Sequence, residues 1–457
     1  MVRNVIVAGS AGAVNAALLN DKLASMHIAG VALIGPGEVS APVFTRAATW
    51  HSLKLEDSAA QTLLLAEPPP NGAAGRAVLE RAAAARLKVL LLEDAAVRPL
   101  GLDDLLGAPL RAVDWARIGA MLAGKRVLIT GGGGSIGGEI ARRVAGFAPE
   151  RLTLLDSSEH NLYQIGLELR DARTALCDIR DEAAVRRWFA KETPHIVFHT
   201  AALKQVPVVE AFPCEGVLTN VCGVKHVAEA AHWVNADLIF VSTDKAVEPS
   251  GVMGATKRFG ELFCQALDRR GGRRAIPVRL GNVLGSAGSV APLFEAQLAA
   301  GGPLTVTHAD MTRYFLSIPQ AANAVLQAAA NGLTSPRRGA AKVIEMGEAL
   351  PVVELARNVI RLAGMRPDED VPIVFTGLRP GEKMHERLVA EDEEPVTDAR
   401  SGVIAAMSQP RELADLHALI ERLTLLARQG ADDAVRDALF AAIDPREEAD
   451  EELAAAG

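Results

Sequence analysis

The segment Lys125–Gly137, KRVLITGGGGSIG, constrains the fold more than any other part of the chain. Val127–Thr130 is apolar and β-branched and reads as a strand. Gly131, Gly134 and Gly137 follow at G-x-x-G-x-x-G spacing, and Ile136–Val144 reads as the next helix. Glycine permits a tight turn and lets backbone approach a pyrophosphate, while the helix start offers free N–H groups to the same anion. A glycine motif alone says little, but between a strand and a helix it reads as a dinucleotide-binding turn. Gly131, Gly134, Ser135, Ile136 and Gly137 are its expected contacts.

The residues that follow extend this unit. The expected strand Arg151–Leu155 ends in Asp156, about 20 residues beyond the glycines, where a carboxylate accepts hydrogen bonds from a ribose and repels a 2′-phosphate. Ser157–Tyr163 holds no Lys or Arg to offset that charge, which favours NAD over NADP. Asp178 and Ile179, after an expected strand Thr174–Cys177, are placed beside the adenine or at a helix cap. Ala201 and Ala202, after the expected strand Ile196–Thr200, are small enough for backbone to lie against the cofactor.

A second informative stretch is Ser242–Lys257, STDKAVEPSGVMGATK, which follows the apolar run Leu238–Val241. In an open α/β sheet, chemistry gathers at the carboxyl ends of strands. Thr243, Asp244 and Lys245 therefore bring a hydroxyl, a carboxyl and an amine to one strand end, with Met253 and Lys257 beyond. Such a trio suits proton transfer. It also suits local capping, which Ser, Thr and Asp favour.

The 457 residues suggest several domains. Residues 1–105 read as a Rossmann-like accessory unit, with strands Val5–Ala8, Val31–Ile34, Thr62–Ala66 and Val89–Leu92 and a helix over Arg76–Leu87. Its own turn, Gly9–Asn15, is a degenerate phosphate-binding pattern. Residues 106–124 read as a linker, 125–399 as the cofactor-binding unit, and 400–457 as a helical tail ending in a solvated acidic stretch. The net charge of −8, the lack of a basic run and the scarcity of aromatics argue against nucleic acid as the partner. Cys177, Cys214, Cys222 and Cys264 form no CxxC pair and the ten histidines are scattered, so reduced thiols and no metal site are expected. No apolar run reaches 18 residues, so no transmembrane helix and a cytoplasmic location are expected.

Together these residues resemble the extended short-chain dehydrogenase/reductase superfamily, and more narrowly its nucleotide-sugar 4,6-dehydratases of bacterial polysaccharide biosynthesis. The matching pieces run in order from Thr130 to about Glu386: TGGGGSIG, HTAALKQVPVVE, LTNVCGV, STDKAVEPSGVMGATKR, VRLGNVLGSAGSVAPLF, MTRYF and RPGEKMHE. The accessory unit and the DDLLG linker resemble the long members, which usually carry transmembrane helices ahead of that unit. The superfamily's Tyr-x-x-x-Lys is here Met253 and Lys257. Methionine neither donates nor accepts a proton, but the long dehydratases share it.

The resemblance implies NAD-dependent conversion of a UDP-N-acetylhexosamine, UDP-N-acetylglucosamine foremost, to its 4-keto-6-deoxy product. In that reading Asp244 is the acid for the 6-hydroxyl and Lys245 the base at C5. Thr243 hydrogen-bonds the 4-hydroxyl, Lys257 holds the nicotinamide ribose, and Met253 fills space. The proton of the 4-hydroxyl has no assigned acceptor; a relay through Thr243 to Asp244 or Lys257 is open. Lys204, Asn282, Arg313, Arg379 and Glu382 are the expected substrate contacts, the arginines because guanidinium matches phosphate in a two-pronged geometry. A homo-oligomer formed through helices flanking the sheet is also expected. A 4-epimerase or dehydrogenase, and a non-catalytic binder of NAD and a nucleotide sugar, stand as alternatives.

Overall fold

The computed structural model describes residues 4–20, 23, 26–34, 48–49, 60–70, 73–93, 96–106, 112–398 and 402–443. The acidic end of the chain, residues 447–457, lies outside them, as does the 107–111 part of the expected linker. The chain divides into two compact units. One comprises Met1–Pro109, Ser289–Met311 and Leu350–Gly377; the other Leu110–Gly288, Thr312–Ala349 and Leu378–Gly457.

In the first unit, β1 (Val5–Gly9), α1 (Ala11–Leu18), β2 (Ile28–Leu33), β3 (Ala48–Thr49), β4 (Thr62–Leu65), α2 (Ala73–Ala84), β5 (Lys88–Glu93) and β6 (Ala96–Pro99) follow one another. The sheet order is β3-β2-β1-β4-β5-β6, parallel except for β6. Val5, Val7, Leu63 and Leu65 are buried, as expected of strands covered on both faces. The later helix Val352–Leu362 belongs to the same unit. Its Leu362 packs on the core of Leu79, Ala82 and Leu87, and its Arg361 donates to Glu80 Oε1 at 2.8 Å.

At the degenerate turn, Ser10 caps α1 by accepting from Ala13 N at 3.4 Å. Ser10 N in turn donates to Glu67 Oε1 at 2.7 Å. A carboxylate of the chain itself thus sits where a phosphate would have to approach.

The second unit opens with α3 (Trp115–Leu122), within the stretch expected to be linker. Asp114 caps it through Arg117 N at 3.0 Å, and Ile118 and Leu122 are buried in the core, so an amphipathic face turns this segment into a helix. Next come β7 (Arg126–Thr130), α4 (Ser135–Ala145), β8 (Arg151–Asp156), α5 (Glu159–Glu168), β9 (Arg173–Leu176), α6 (Glu182–Glu192) and β10 (Ile196–His199). They are followed by α7 (Val206–Ala211), α8 (Pro213–Val217), α9 (Gly223–Trp233), β11 (Asp237–Thr243), α10 (Val252–Arg270) and β12 (Ala275–Leu280).

The central sheet order is β12-β11-β10-β7-β8-β9, all parallel. Strand Ala340–Ile344 extends it beside β12. Strands Val403–Met407 and Glu394–Asp398 then add an antiparallel hairpin. The stretch after residue 400, expected to be wholly helical, therefore begins with a strand. The run VIAAM lies between Gly402, at φ +67°, and Pro410, which is too short for a stable helix, and the open edge of Ala340–Ile344 offers it backbone partners. Helices Leu413–Arg428 and Asp432–Ile443 follow as expected. They pack Leu416, Ile420, Val435 and Leu439 into the same core as Phe259 and Phe263 of α10.

Candidate active site

Strand order reverses at β7, which has β8 on one side and β10 on the other. Ligands of open α/β sheets bind at such switch points, outside the carboxyl ends of the strands. The glycine turn lies there. Gly131 has φ +67°, and a side-chain carbon on it would meet Ala201 N at 2.7 Å. The same atom on Gly137 would lie 2.2 Å from Gly131 O. Both glycines are required by the protein's own packing. Gly134 is less constrained by the protein, with Gly131 O at 3.2 Å. It is the N-cap of α4 and has no side-chain cap bond, which suits an anion ligand.

Asp156 ends β8 and accepts from Gly133 N at 3.1 Å and Ser158 N at 2.9 Å, fixing the carboxylate beside the turn. Ser135 Oγ accepts from Ala287 N at 3.2 Å, so the turn Gly285–Gly288 is tied to the start of α4. These residues fit a dinucleotide. Asp178 is exposed and accepts from Arg180 N at 2.9 Å. Ile179 differs from expectation: its side chain is 4% exposed and packed into the core against Gly223, so it has no apolar surface to offer an adenine.

β11 delivers the trio as its register with β12 ends. Thr243 has extended backbone and caps a single 3₁₀ turn, Asp244–Ala246. Thr243 Oγ1 donates to Asp244 Oδ1 at 2.9 Å. Lys245 Nζ donates to the same oxygen at 3.0 Å and to Asn282 Oδ1 at 2.7 Å. Asp244 is fully buried, and its Oδ2 has no hydrogen-bond partner among the described residues. A buried carboxylate oxygen without a donor is costly unless something visits it.

Lys257 lies one helical turn beyond Met253 on α10, and both are buried. Its Nζ donates to Val241 O at 3.0 Å and stands 4.8 Å from the Phe240 ring centre. Burial lowers the Lys257 ammonium from 10.5 to about 8. His199, at the end of β10, stacks on the same ring and shares a 2.6 Å hydrogen bond with Thr130 Oγ1. Burial, then the nearby Lys257, lowers His199 to about 3, so it is neutral. Neither His199 nor Thr130 was singled out by sequence reasoning, though His199 opens the quoted HTAALK motif.

The expected substrate contacts fall into two groups. Lys204 donates to Ser286 Oγ at 3.1 Å and so meets the Gly285–Gly288 turn. Arg379 is exposed, and Glu382 accepts from Arg379 N at 3.1 Å. These three remain open to a ligand. Asn282 is joined to Lys245 and orients the amine. Arg313 is 5% exposed and donates to the carbonyls of Thr312 at 2.8 Å, Met384 at 3.1 Å and Lys383 at 2.7 Å. A guanidinium bound to three backbone oxygens braces a loop and has little left for a diphosphate, which corrects its expected role.

Asn220 lies in a π-helical turn, Leu218–Cys222, and is fully buried. It bonds both the N–H and the carbonyl of Leu203 at 2.8 Å and donates to Thr256 Oγ1 at 3.0 Å. It thereby holds the loop after β10 against α10, a use of π-turns common at functional sites.

A doubly wound sheet, a glycine turn at its switch point and a lysine on the helix after β11 define a Rossmann-type fold of the extended short-chain dehydrogenase/reductase class. Within that class, a family model described as "Polysaccharide biosynthesis protein" matches residues 127–407, and the chain belongs to this family. A probable polysaccharide biosynthesis protein, EpsC, of Bacillus subtilis (strain 168) is 43% identical over 65% of this chain and 50% of its own length. The chain thus spans about half of that relative. A UDP-glucose 4-epimerase of Rickettsia akari (strain Hartford) is 32% identical over 64% of this chain and 86% of that one. Among solved structures, a double mutant of the dTDP-glucose 4,6-dehydratase DesIV of Streptomyces venezuelae, with NAD bound, shares the fold. It has a TM-score of 0.51 and 24% identity, covering 57% of this chain and 88% of that one. No helix of the described residues is long and apolar enough to cross a membrane.

Proposed function

We propose that the chain catalyses NAD-dependent 4,6-dehydration of a UDP-N-acetylhexosamine, UDP-N-acetylglucosamine being the favoured substrate, for polysaccharide or glycan biosynthesis. The observation that carries this reading is the Asp244–Lys245 pair: a buried acid with one free oxygen, 3.0 Å from an amine, at the end of β11. An epimerase needs no acid for O6; a dehydratase needs an acid and a base together.

Gly131, Gly134, Ser135, Gly137 and Asp156 would hold the cofactor, with Asp156 favouring NAD over NADP. A bound nicotinamide supplies reversible two-electron chemistry, oxidising C4 at the outset and reducing C6 at the end. Thr243, already donating to Asp244, accepts the proton of the 4-hydroxyl and passes its own to that carboxyl. This route needs no tyrosine, consistent with Met253. It also charges Asp244 with the proton that O6 requires on leaving as water. Lys245 removes the C5 proton made acidic by the neighbouring ketone and later returns one. Lys257 stabilises charge on O4, and Arg379 and Glu382 meet the uridine diphosphate.

The test is incubation of the full chain with NAD and UDP-N-acetylglucosamine, followed by mass and NMR analysis. A product lighter by one water is expected, with solvent deuterium at C5. A product of unchanged mass but inverted C4 would make the chain an epimerase.

A further inference from the structure

Glu386 is the third charged group of the Asp244–Lys245 centre. Its side chain is 3% exposed, with Oε1 3.9 Å from Lys245 Nζ. It lines one recess with Lys245, Met253 and Lys383. Two further cations stand beside the carboxylate: Arg313 Nε 3.8 Å from Oε1 and Lys383 Nζ 3.5 Å from Oε2. Those cations are themselves pinned to backbone, Arg313 through three carbonyls and Lys383 through Val247 O. None of these contacts is a hydrogen bond to Glu386 Oε2, which has no partner among the described residues. The result is a buried carboxylate, ion-paired to two cations, that faces Lys245 without hydrogen-bonding it.

Lys245 Nζ has two hydrogen-bond partners among the described residues, Asp244 and Asn282. As the neutral amine that a base must be, Lys245 uses two N–H bonds there and keeps one lone pair. That lone pair is where a proton can arrive.

We propose that Glu386 is a positioning residue for Lys245, stabilising the ammonium that forms when Lys245 takes the C5 proton. This inference rests on the dehydration reading. In that step the C5–H bond breaks and its proton goes to Lys245 Nζ. The freed electron pair forms the C5–C6 double bond as the C6–O bond breaks. The oxygen leaves with a proton from Asp244, as water. Asp244 ends the step as an anion, so the new cation has one carboxylate oxygen at 3.0 Å and a second, from Glu386, at 3.9 Å. Fixed charge placed where charge develops acts with no reorganisation at the moment of reaction.

The test compares wild type, Glu386→Gln and Glu386→Asp as full chains with NAD and UDP-N-acetylglucosamine in deuterated water. For Glu386→Gln, kcat is expected to fall at least about tenfold with KM within about twofold, and C5 deuteration to slow in parallel. Oxidation at C4 precedes the affected step, so the near-ultraviolet absorbance of reduced nicotinamide should build up in the variant. Glu386→Asp, which keeps the charge, should recover much of the rate. The inference is overturned if Glu386→Gln keeps its C5 exchange rate. It is also overturned if oxidation and elimination fall together alongside a lowered thermal midpoint, in either variant, because that marks a loop brace. Wild type giving no water-loss product would instead sink the dehydration reading itself.

Discussion

Asp244 and Lys257 are two of the buried groups on which the proposed chemistry turns, and each is checked by a different measurement. Asp244→Asn keeps the shape and removes the acid, and Lys245→Ala removes the base. Each should lower dehydration by about 10²–10⁴-fold while cofactor binding, followed by fluorescence titration, stays within a few fold. If both keep near-normal turnover, the pair is merely a strand cap. Lys257 allows a test independent of turnover. Its folded value of about 8 lies below the 10.5 of an unfolded lysine. Below pH 8 the group is charged in both states, and its burial costs stability. Between 8 and 10.5 the unfolded chain binds the extra proton, so stability rises with pH. The gain is about 3 kcal/mol. The thermal midpoint of cofactor-free wild type should therefore climb over that range relative to Lys257→Met. Parallel curves for the two proteins would show that Lys257 does not titrate there.

At the scale of elements, β12 is joined to α10 and to the C-terminal hairpin by a fully buried ion network. Arg279 bonds Glu261 at 2.9 and 2.7 Å and Glu393 through two 2.6 Å contacts. Arg258 reaches Glu393 at 2.7 Å, and Ser408 Oγ donates to the same carboxylate at 2.9 Å. The two arginines hold Glu393 far below the 4.5 of a free glutamate, against the opposing effect of burial. Its contribution is therefore complete above about 4.5 and lost as pH falls below it. Glu393→Gln leaves buried guanidinium charge uncompensated and should cost about 3–5 kcal/mol in urea unfolding at neutral pH. A loss under 1 kcal/mol would mean the arginines find other partners. Most of this network is invisible in sequence: Arg258 and Glu261 are three apart on α10, but Arg279 and Glu393 reach them only when the sheet closes. The alternation of apolar runs with glycine turns, by contrast, gave β7, α4 and β8 to within a residue or two. The misread stretches were α3 and Val403–Met407, where the deciding partner was a distant core or an open sheet edge. Local sites were legible for the same reason: Thr243, Asp244 and Lys245 are chain neighbours. Glu386 approaches them from a segment far along the chain, and only the fold brings it there.

For the whole chain, α10 is the organising feature of the second unit: every residue from Val252 to Asp268 is buried. Its outer face is covered by the chain's own C-terminal helices, and Phe263 meets His417 edge-on at 5.4 Å. Arg436 of the last helix holds Glu210 at 2.8 Å, and Glu210 Oε1 accepts from Val252 N at the start of α10. This face of α10 is therefore covered within the chain itself. Truncation after Gln409 would remove the helices that share one core with Phe259, Leu262, Phe263 and Leu267. At about 1.5–3 kcal/mol for each large apolar side chain, that loss rivals the stability of a typical domain. The truncated chain should show no cooperative thermal transition, whereas an intact transition would mean α10 stands without its cover. The first unit repeats the order of six strands found in the second, but its β6 is antiparallel, its sheet has no further strands among the described residues, and its turn differs. There Ser10 N is already taken by the Glu67 carboxylate. A shared strand order therefore does not carry a shared turn: the N-cap of α4 has no side-chain bond, whereas the first turn supplies its own anion.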